Sequence, residues 1–141
     1  MSTMYYAVID PCSQCGHGER HAICKNYRTF RAYLDSEPWG LPVTSWANWK
    51  TVLARPNVDV VSEYGETILT CDFFAKVEEI GPQERHVRKF SNGQPVSRWI
   101  RGCGGEPTPV YESWQAMMES NDRWEAFVDD DGFLFYARDF T

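Results

Sequence analysis

The chain has 141 residues, a net charge of −6, 15% aromatic side chains and five cysteines. Six Trp, seven Tyr and eight Phe supply more apolar surface than a disordered chain carries, so we expect one folded domain over residues 1–141. No apolar run approaches the roughly 18 residues of a membrane helix, and the N-terminus does not resemble a signal segment. These features predict a soluble protein with no membrane partner, located in the cytoplasm.

The charge is arranged in blocks along the chain. Residues 1–58 carry 6 basic and 4 acidic side chains, and residues 59–81 carry 1 and 6. Residues 82–101 carry 5 and 1, and residues 102–141 carry 2 and 9. The acidic excess is therefore concentrated in two segments, which are candidate surfaces for a basic partner.

The N-terminal half predicts strands and one amphipathic helix. Residues 4–10 are rich in β-forming side chains and predict the first strand. Residues 29–34 predict a second strand, although a helix is also compatible with this stretch. Thr44 or Ser45 can cap a helix in which Trp46 and the apolar residues after it recur at helical spacing, ending before Pro56.

A hairpin and a second helix follow. The segments 58–63 and 66–69 flank a Tyr-Gly turn and predict a β-hairpin, and Thr70 can cap a short helix over residues 71–80. The segment 81–110 is rich in Gly and Pro and predicts a loop, with a possible short strand at 96–100.

The C-terminal segment predicts the same order of elements. Ser113 can cap a helix over residues 114–120, and residues 124–128 and 133–136 predict a hairpin about an Asp-Asp-Asp-Gly turn. Residues 45–73 and 113–140 align with matching Val, Gly, apolar, Asp and Phe positions. The interpretation is a helix-hairpin repeat, with units 45–80 and 113–141, although two unrelated hairpins with similar turn chemistry would also produce this match.

Together these elements predict an α+β fold. We expect a small antiparallel sheet built from β-hairpins, with two or three short helices packed on one face. An N-terminal zinc-knuckle loop over residues 11–25 completes the predicted architecture.

Five potential soft-metal ligands lie within thirteen residues of this N-terminal loop. A Cys-x-x-Cys-Gly sequence is typical of a zinc knuckle, because two thiolates three residues apart on a tight turn can bind one ion. The predicted Zn²⁺ ligands are Cys12, Cys15, His21 and Cys24, with His17 as a substitute. A metal-free loop and a Cys12–Cys15 redox pair are the alternatives, and Gly16 argues against the helix that a redox pair commonly opens.

Residues 6–80 contain motifs that resemble small uncharacterised bacteriophage and prophage proteins. The motifs are Asp-Pro-Cys-x-x-Cys-Gly at 10–16, His-x-Ile-x-Lys at 21–25, a Trp-bearing helix and Glu-Tyr-Gly at 63–65. In those proteins a glycine stands at the place of Cys24, so the resemblance leaves the fourth ligand open. The resemblance implies a setting, the cytoplasm of a bacterial host, and no particular reaction.

Two binding hypotheses follow. The first is a zinc-stabilised, non-enzymatic protein that binds a bacterial host protein and inhibits a defence system or other host machinery. The acidic residues expected to meet a basic partner are Glu63, Glu66, Asp129, Asp130 and Asp131.

The second hypothesis is a zinc-knuckle protein that binds nucleic acid, which the net charge disfavours. Its candidate residues are Arg20, Lys25, Arg28 and Arg31, interleaved with Tyr27, Phe30 and Tyr33.

Catalytic motifs for phosphate binding, dinucleotide binding, zinc proteolysis and serine hydrolysis are missing from the sequence. We therefore expect no enzymatic activity. An enzyme would need a site assembled from scattered residues such as Asp72, His86 and Asp139.

Overall fold

The computed structural model describes residues 3–15, 18–82, 110–111, 113–119 and 126–137. Within these ranges the elements are β1 (Met4–Ile9), β2 (Arg20–Lys25), β3 (Thr29–Arg31), α1 (Trp46–Leu53), β4 (Val58–Ser62), β5 (Thr67–Ile68), α2 (Thr70–Ile80), β6 (Val110–Tyr111), α3 (Trp114–Glu119), β7 (Ala126–Val128) and β8 (Leu134–Tyr136). The strands form one eight-stranded sheet in the order β5-β4-β1-β2-β3-β8-β7-β6. The predicted α+β class is confirmed.

The sheet is larger than predicted, and it is mixed where a wholly antiparallel one was expected. Most neighbouring strands are antiparallel, but β3 pairs with β8 and β6 pairs with β7 in parallel. The β3–β8 pair joins strands from the two ends of the sequence, with Phe30 opposite Phe135. A pairing of this kind connects distant segments, so hairpin patterns along the chain do not reveal it.

The strand β2 was not predicted, because its residues were assigned to a zinc-knuckle loop over 11–25. Residues Arg20–Lys25 instead pair along their length with β1, from Arg20 opposite Val8 to Lys25 opposite Met4. The knuckle loop therefore ends before Arg20, because the apolar residues that follow are buried in the sheet. The register shifts once, between Tyr5 and Tyr6.

The helices lie on one face of the sheet, as predicted. The Ser45 hydroxyl accepts a hydrogen bond from the Asn48 amide at 3.1 Å, so Ser45, and not Thr44, caps α1. The N-cap residue of α2 is Leu69, whose side chain makes no capping bond, and Thr70 lies inside the helix. The core residues of α1 and α2 are Trp46, Trp49, Val52, Leu53, Phe73 and Val77.

Aromatic rings make up much of the core between helices and sheet. Phe30 stacks on Phe135 with centroids 5.4 Å apart, and Phe135 stacks on Phe127 at 5.6 Å. Trp46 packs on Phe30 at 5.4 Å and on Phe133 at 5.9 Å. These contacts join α1 to strands at both ends of the sequence, so the described segments share a core.

The two predicted repeat units have equivalent turns but different places in the sheet. Ser62 and Asp129 each accept hydrogen bonds from the amides two and four residues later, and Gly65 and Gly132 each have a positive φ, 85° and 87°. The strands β4 and β7, which follow the Trp-bearing helices, each lie second from an edge. However, β5 lies outside β4, whereas β8 lies on the inner side of β7.

Several predictions fall outside the described residues. The strand at 96–100, most of the loop at 81–110, His17 and the C-terminal part of the second unit belong to this group, as do His86 and Asp139. Among the helices that are described, none is long and apolar enough to cross a membrane.

Candidate functional site

Cys12 and Cys15 lie on the exposed loop between β1 and β2. Hydrogen bonding to the Gln14 amide, and then to the amide and thiol of Cys15, lowers the pKa of the Cys12 thiol. The turn therefore carries two exposed thiol groups three residues apart, as the Cys-x-x-Cys spacing predicts.

His21 and Cys24, the other two predicted ligands, lie on the face of β2 that packs against the helices. Cys24 is completely buried, and burial raises the pKa of its thiol well above the ordinary value. The His21 ring packs against Trp39 and Tyr33, with centroids 5.5 and 6.5 Å away. Both residues therefore belong to the aromatic core region.

The sheet separates these two residues from the thiol pair. Cys15 lines a cavity of about 310 Å³ together with Val8 and Val61. These two valines each follow a core residue of the same strand, Ala7 and Val60. Because side chains alternate along a strand, the valines and the cavity lie on the face of the sheet opposite the core. The structure thus brings Cys12 and Cys15 together but does not add His21 or Cys24 to them.

The structure does not bring the four predicted zinc ligands to one point, and His17, the predicted substitute, lies outside the described residues. A structural Zn²⁺ ion binds four protein ligands at bond lengths of about 2.0–2.3 Å. No three His, Cys, Asp or Glu side chains within the described ranges are placed to hold one metal ion. Two of the four predicted ligands are thiols of one turn, and the other two lie across the sheet from it.

The thiol loop packs closely on the second face of the sheet. A Cβ at Gly18 would lie 2.7 Å from Cγ1 of Val8, so the loop backbone passes directly over that side chain. Val8 is 2% exposed although it faces away from the helices. The position of the loop is therefore fixed by packing as well as by its turn.

The residues proposed for nucleic-acid binding do not form one surface. Phe30 is completely buried, Tyr27 packs against Tyr5 and Phe73, and the Tyr33 hydroxyl donates to the Ala22 carbonyl at 3.0 Å. Phe30 is therefore not accessible to a base, while Tyr27 and Tyr33 are partly buried and pack against the core.

The four basic side chains of that hypothesis are also spread along the sheet. Arg20 and Lys25 pair with Val8 and Met4, four residues apart on β1, which corresponds to about 13 Å along the strand. The Arg20 guanidinium lies over the Tyr6 ring at 5.7 Å, and that of Arg31 lies over the Tyr33 ring at 5.0 Å. Arg28 is exposed in the turn after β2.

Asp129 does not belong to the exposed acidic tip predicted for residues 129–131. Its side chain is 9% exposed and accepts hydrogen bonds from three backbone amides, those of Trp46, Asp131 and Phe133, at 2.7, 3.0 and 2.8 Å. A buried carboxylate with its acceptors satisfied stabilises the fold and is not accessible to a partner. Asp130 and Asp131 are exposed, as predicted.

A second acidic region lies at the β5 end of the sheet. We define the acidic edge as Glu63, Tyr64, Glu66, Leu69 and Asp72, which border the edge strand β5 and are all exposed. Tyr64 is 64% and Leu69 68% exposed, the largest fractions among the exposed large hydrophobic residues of the described chain. Neither apolar residue was predicted as a site residue, since one is in a hairpin turn and the other directly precedes a helix.

The carboxylates of the acidic edge are not neutralised by neighbouring cations. In the part of the chain that the structure describes, neither Glu63, Glu66 nor Asp72 is in an ion pair. Glu63 accepts one hydrogen bond, from the Met4 amide at 3.1 Å. The two lysines nearest in sequence pair elsewhere, Lys50 with Glu78 at 3.2 Å and Lys76 with Glu79 at 3.8 Å.

Comparison with protein-family models, curated proteins and solved structures finds no significant match. The function is therefore inferred from the geometry of the chain itself.

Proposed function

We propose that the protein acts by binding a basic protein through its acidic edge, without catalysing a reaction. The observation that carries this proposal is the combination of three unpaired carboxylates with two exposed apolar side chains around one edge strand. Carboxylates attract a basic surface and speed its approach, while exposed aromatic and aliphatic side chains supply area to be buried on contact.

The edge strand adds a backbone component to this surface. An edge strand such as β5 offers main-chain donors and acceptors on its outer side, to which an extended segment of a partner can pair. A segment with alternating basic and apolar residues would meet Glu66 and Asp72 with its charges and Tyr64 and Leu69 with its apolar side chains.

The same features argue for a protein partner over a nucleic acid. The acidic edge would repel phosphate groups, and the aromatic rings of the nucleic-acid hypothesis pack in the core or against it. The resemblance to bacteriophage proteins gives the biological setting of the proposal. The partner is then a bacterial host protein, and occupying its basic surface would inhibit a defence system or other host machinery.

The test is affinity capture from nuclease-treated bacterial lysate with three forms of the protein. The first is the wild type, the second carries Glu66→Lys and Asp72→Lys in the acidic edge, and the third carries Asp130→Lys and Asp131→Lys. The third form is the matched control, because it makes the same change of charge at an exposed turn in the other half of the sheet.

We expect one or more basic proteins to be retained by the wild type and the control, and their retention by the acidic-edge variant to fall at least about tenfold, roughly 1.4 kcal/mol. Equal retention by all three forms would contradict the proposal. A parallel capture without nuclease completes the design, and retention seen only in that untreated lysate would instead support the nucleic-acid hypothesis.

A further inference from the structure

The face of the sheet opposite the helices carries a cavity that the proposed function does not use. Its volume is about 310 Å³, which is at the lower end of the range for small-molecule sites. Its lining includes the polar side chains of Arg20 and Thr67 and the apolar side chains of Val8 and Val61. We propose that this cavity binds a small organic acid, whose single carboxylate pairs with Arg20 and whose second polar group hydrogen-bonds to Thr67.

Strand pairing places Arg20 and Thr67 at opposite sides of the cavity. Arg20 lies opposite Val8 in the β1–β2 ladder, and Thr67 lies opposite Val61 in the β4–β5 ladder. Because residues opposite each other in a ladder share one face of the sheet, both polar side chains lie on the same face as the two valines. The strands β1 and β4 separate β2 from β5, which corresponds to about 14 Å across the sheet. A ligand that contacts both side chains is therefore elongated.

The ring of Tyr6 holds the Arg20 guanidinium over the sheet. The guanidinium carbon lies 5.7 Å from the centroid of this ring, which is a cation–π contact. Tyr6 is opposite Val61, which is in turn opposite Thr67. The contact therefore directs the charged end of Arg20 toward the row of the sheet that contains Thr67, and this shortens the distance that a ligand must span.

The charge of Arg20 is not neutralised by a neighbouring carboxylate. In the described ranges Arg20 takes part in no ion pair, and Glu19, the acidic residue next to it in sequence, lies 3.9 Å from His21. The described residues that line the cavity include no Asp or Glu. A guanidinium binds a carboxylate through two parallel hydrogen bonds, so Arg20 supplies both the charge and the geometry for this group. Thr67 is exposed, so its hydroxyl is accessible at the other side of the cavity.

The surrounding charges favour a ligand with one negative charge. Asp59 lies opposite Val8, on the same face as Arg20 and two strands from it, and Glu66 directly precedes Thr67. One guanidinium neutralises one carboxylate, whereas a phosphate monoester carries a charge of about −1.5 to −2 at neutral pH. The ligand is therefore assigned as a carboxylic acid and not as a phosphate ester.

Apolar contact contributes little to binding in this cavity. Val8 and Val61 are only 2% and 7% exposed, and the loop backbone at Gly18 passes directly over Val8. The ion pair with Arg20 and the hydrogen bond with Thr67 therefore determine the affinity, and each can be removed by one substitution.

The experiment titrates the full-length protein with para-hydroxybenzoate, which carries a carboxylate and a hydroxyl at opposite ends of a flat ring, and follows the backbone amides by NMR. We expect saturable shifts at the amides of Gly18, Arg20, Gly65 and Thr67, which line the cavity. Phenol, which lacks the carboxylate, and inorganic phosphate should each bind at least about tenfold more weakly. Benzoate, which lacks the hydroxyl, should bind about threefold more weakly.

Substitutions test the two contacts separately. Arg20→Gln should weaken the binding of para-hydroxybenzoate at least about tenfold, and Thr67→Val, which removes the hydroxyl, about threefold. Arg28→Gln is the matched control, because it removes one exposed positive charge from the turn after β2 and should leave the affinity unchanged. Thermal unfolding shows whether each variant is folded. If Arg20→Gln is unfolded, Arg20→Lys takes its place and should weaken binding about threefold, because it keeps the charge and loses the planar fork.

Four results would overturn the proposal. The first is the absence of saturable shifts around the cavity, and the second is equal weakening of binding by the Arg20 and Arg28 variants. The third is tighter binding of inorganic phosphate than of para-hydroxybenzoate. The fourth is binding of phenol as tight as that of para-hydroxybenzoate, which would show that Arg20 does not pair with the ligand. These results are independent of partner binding by the acidic edge, because none of the substituted residues belongs to that edge.

Discussion

Asp129 holds the first turn of α1 from the other end of the sequence. Its Oδ2 atom accepts the Trp46 amide at 2.7 Å, while Oδ1 accepts the amides of its own hairpin turn. Ser62, the equivalent residue of the first unit, makes the same two turn bonds with its hydroxyl. The carboxylate therefore satisfies the turn of one unit and the helix N-terminus of the other with a single buried group.

Removal of this carboxylate should destabilise the protein strongly. Asp129→Ala leaves the buried amides that it serves without acceptors, and we expect a loss of about 2–4 kcal/mol in the free energy of unfolding. The matched change Asp130→Ala, at the exposed neighbour, should cost less than about 0.5 kcal/mol. Urea unfolding of the three proteins measures both effects, and similar losses for the two variants would contradict the assignment.

The free energy of unfolding should depend on pH through the titration of Asp129. Burial raises the pKa of Asp129 above the ordinary value of 3.8, and this effect outweighs the hydrogen bonds that lower it. The folded state then binds the proton more tightly than the unfolded chain. The resulting stabilisation is fully present below the unfolded pKa and is lost as the pH rises through the folded pKa.

The Asp129→Asn variant removes this titration. The stability difference in favour of the wild type should therefore narrow as the pH rises from about 4 to about 7. Urea unfolding of both proteins at several pH values provides the measurement. A difference that widens over this range would show that the folded state lowers the pKa of this group.

Cysteine substitutions separate the core thiol from the loop thiols. Cys24→Ser places a hydroxyl in the buried core and should cost about 1–3 kcal/mol, whereas Cys12→Ser on the exposed loop should change stability by less than about 0.5 kcal/mol. A shared zinc site would make both changes costly. Equal and large losses of stability in the two variants, together with stabilisation by added zinc of the wild type alone, would contradict the separation of these thiols in the structure.

The Gly65 turn provides a test of backbone conformation alone. Gly65 has a φ of 85°, and a Cβ built there has no neighbouring atom within 4 Å. Gly65→Ala should thus cost roughly 1–2 kcal/mol through the left-handed backbone and not through a clash. Gly65→Asn should cost less, because Asn tolerates this region better. Equal losses of stability in the two variants would show that the left-handed backbone at Gly65 is not their cause.

The sequence predicted local elements well and long-range relationships poorly. The spacing of Trp46 and Trp49 on α1 and the turns at Gly65 and Gly132 follow from periods and residue types within a few positions. The parallel β3–β8 pair depends on two segments about a hundred residues apart, for which no local pattern exists. The burial of Asp129 escaped prediction for the same reason, since its partner Trp46 belongs to the other unit.

The candidate site was predicted in part. The Cys-x-x-Cys spacing identified the exposed thiol pair, because that geometry is local to one turn. The assignment of His21 and Cys24 to the same loop failed to anticipate β2, where alternation and a register shift place both side chains against the helices. Cys24 follows two apolar residues, Ala22 and Ile23, and that short run was the available signal for a buried strand.

If the acidic edge contacts a protein, site-specific photo-crosslinking at this edge should capture that protein. A benzophenone side chain replaces Tyr64 in one variant and Met118, another exposed apolar residue, in a second. Irradiation in nuclease-treated bacterial lysate should join a basic protein to the Tyr64 variant and not to the Met118 variant. Crosslinks from Met118 alone, or the same crosslinked proteins from both positions, would contradict binding through the acidic edge.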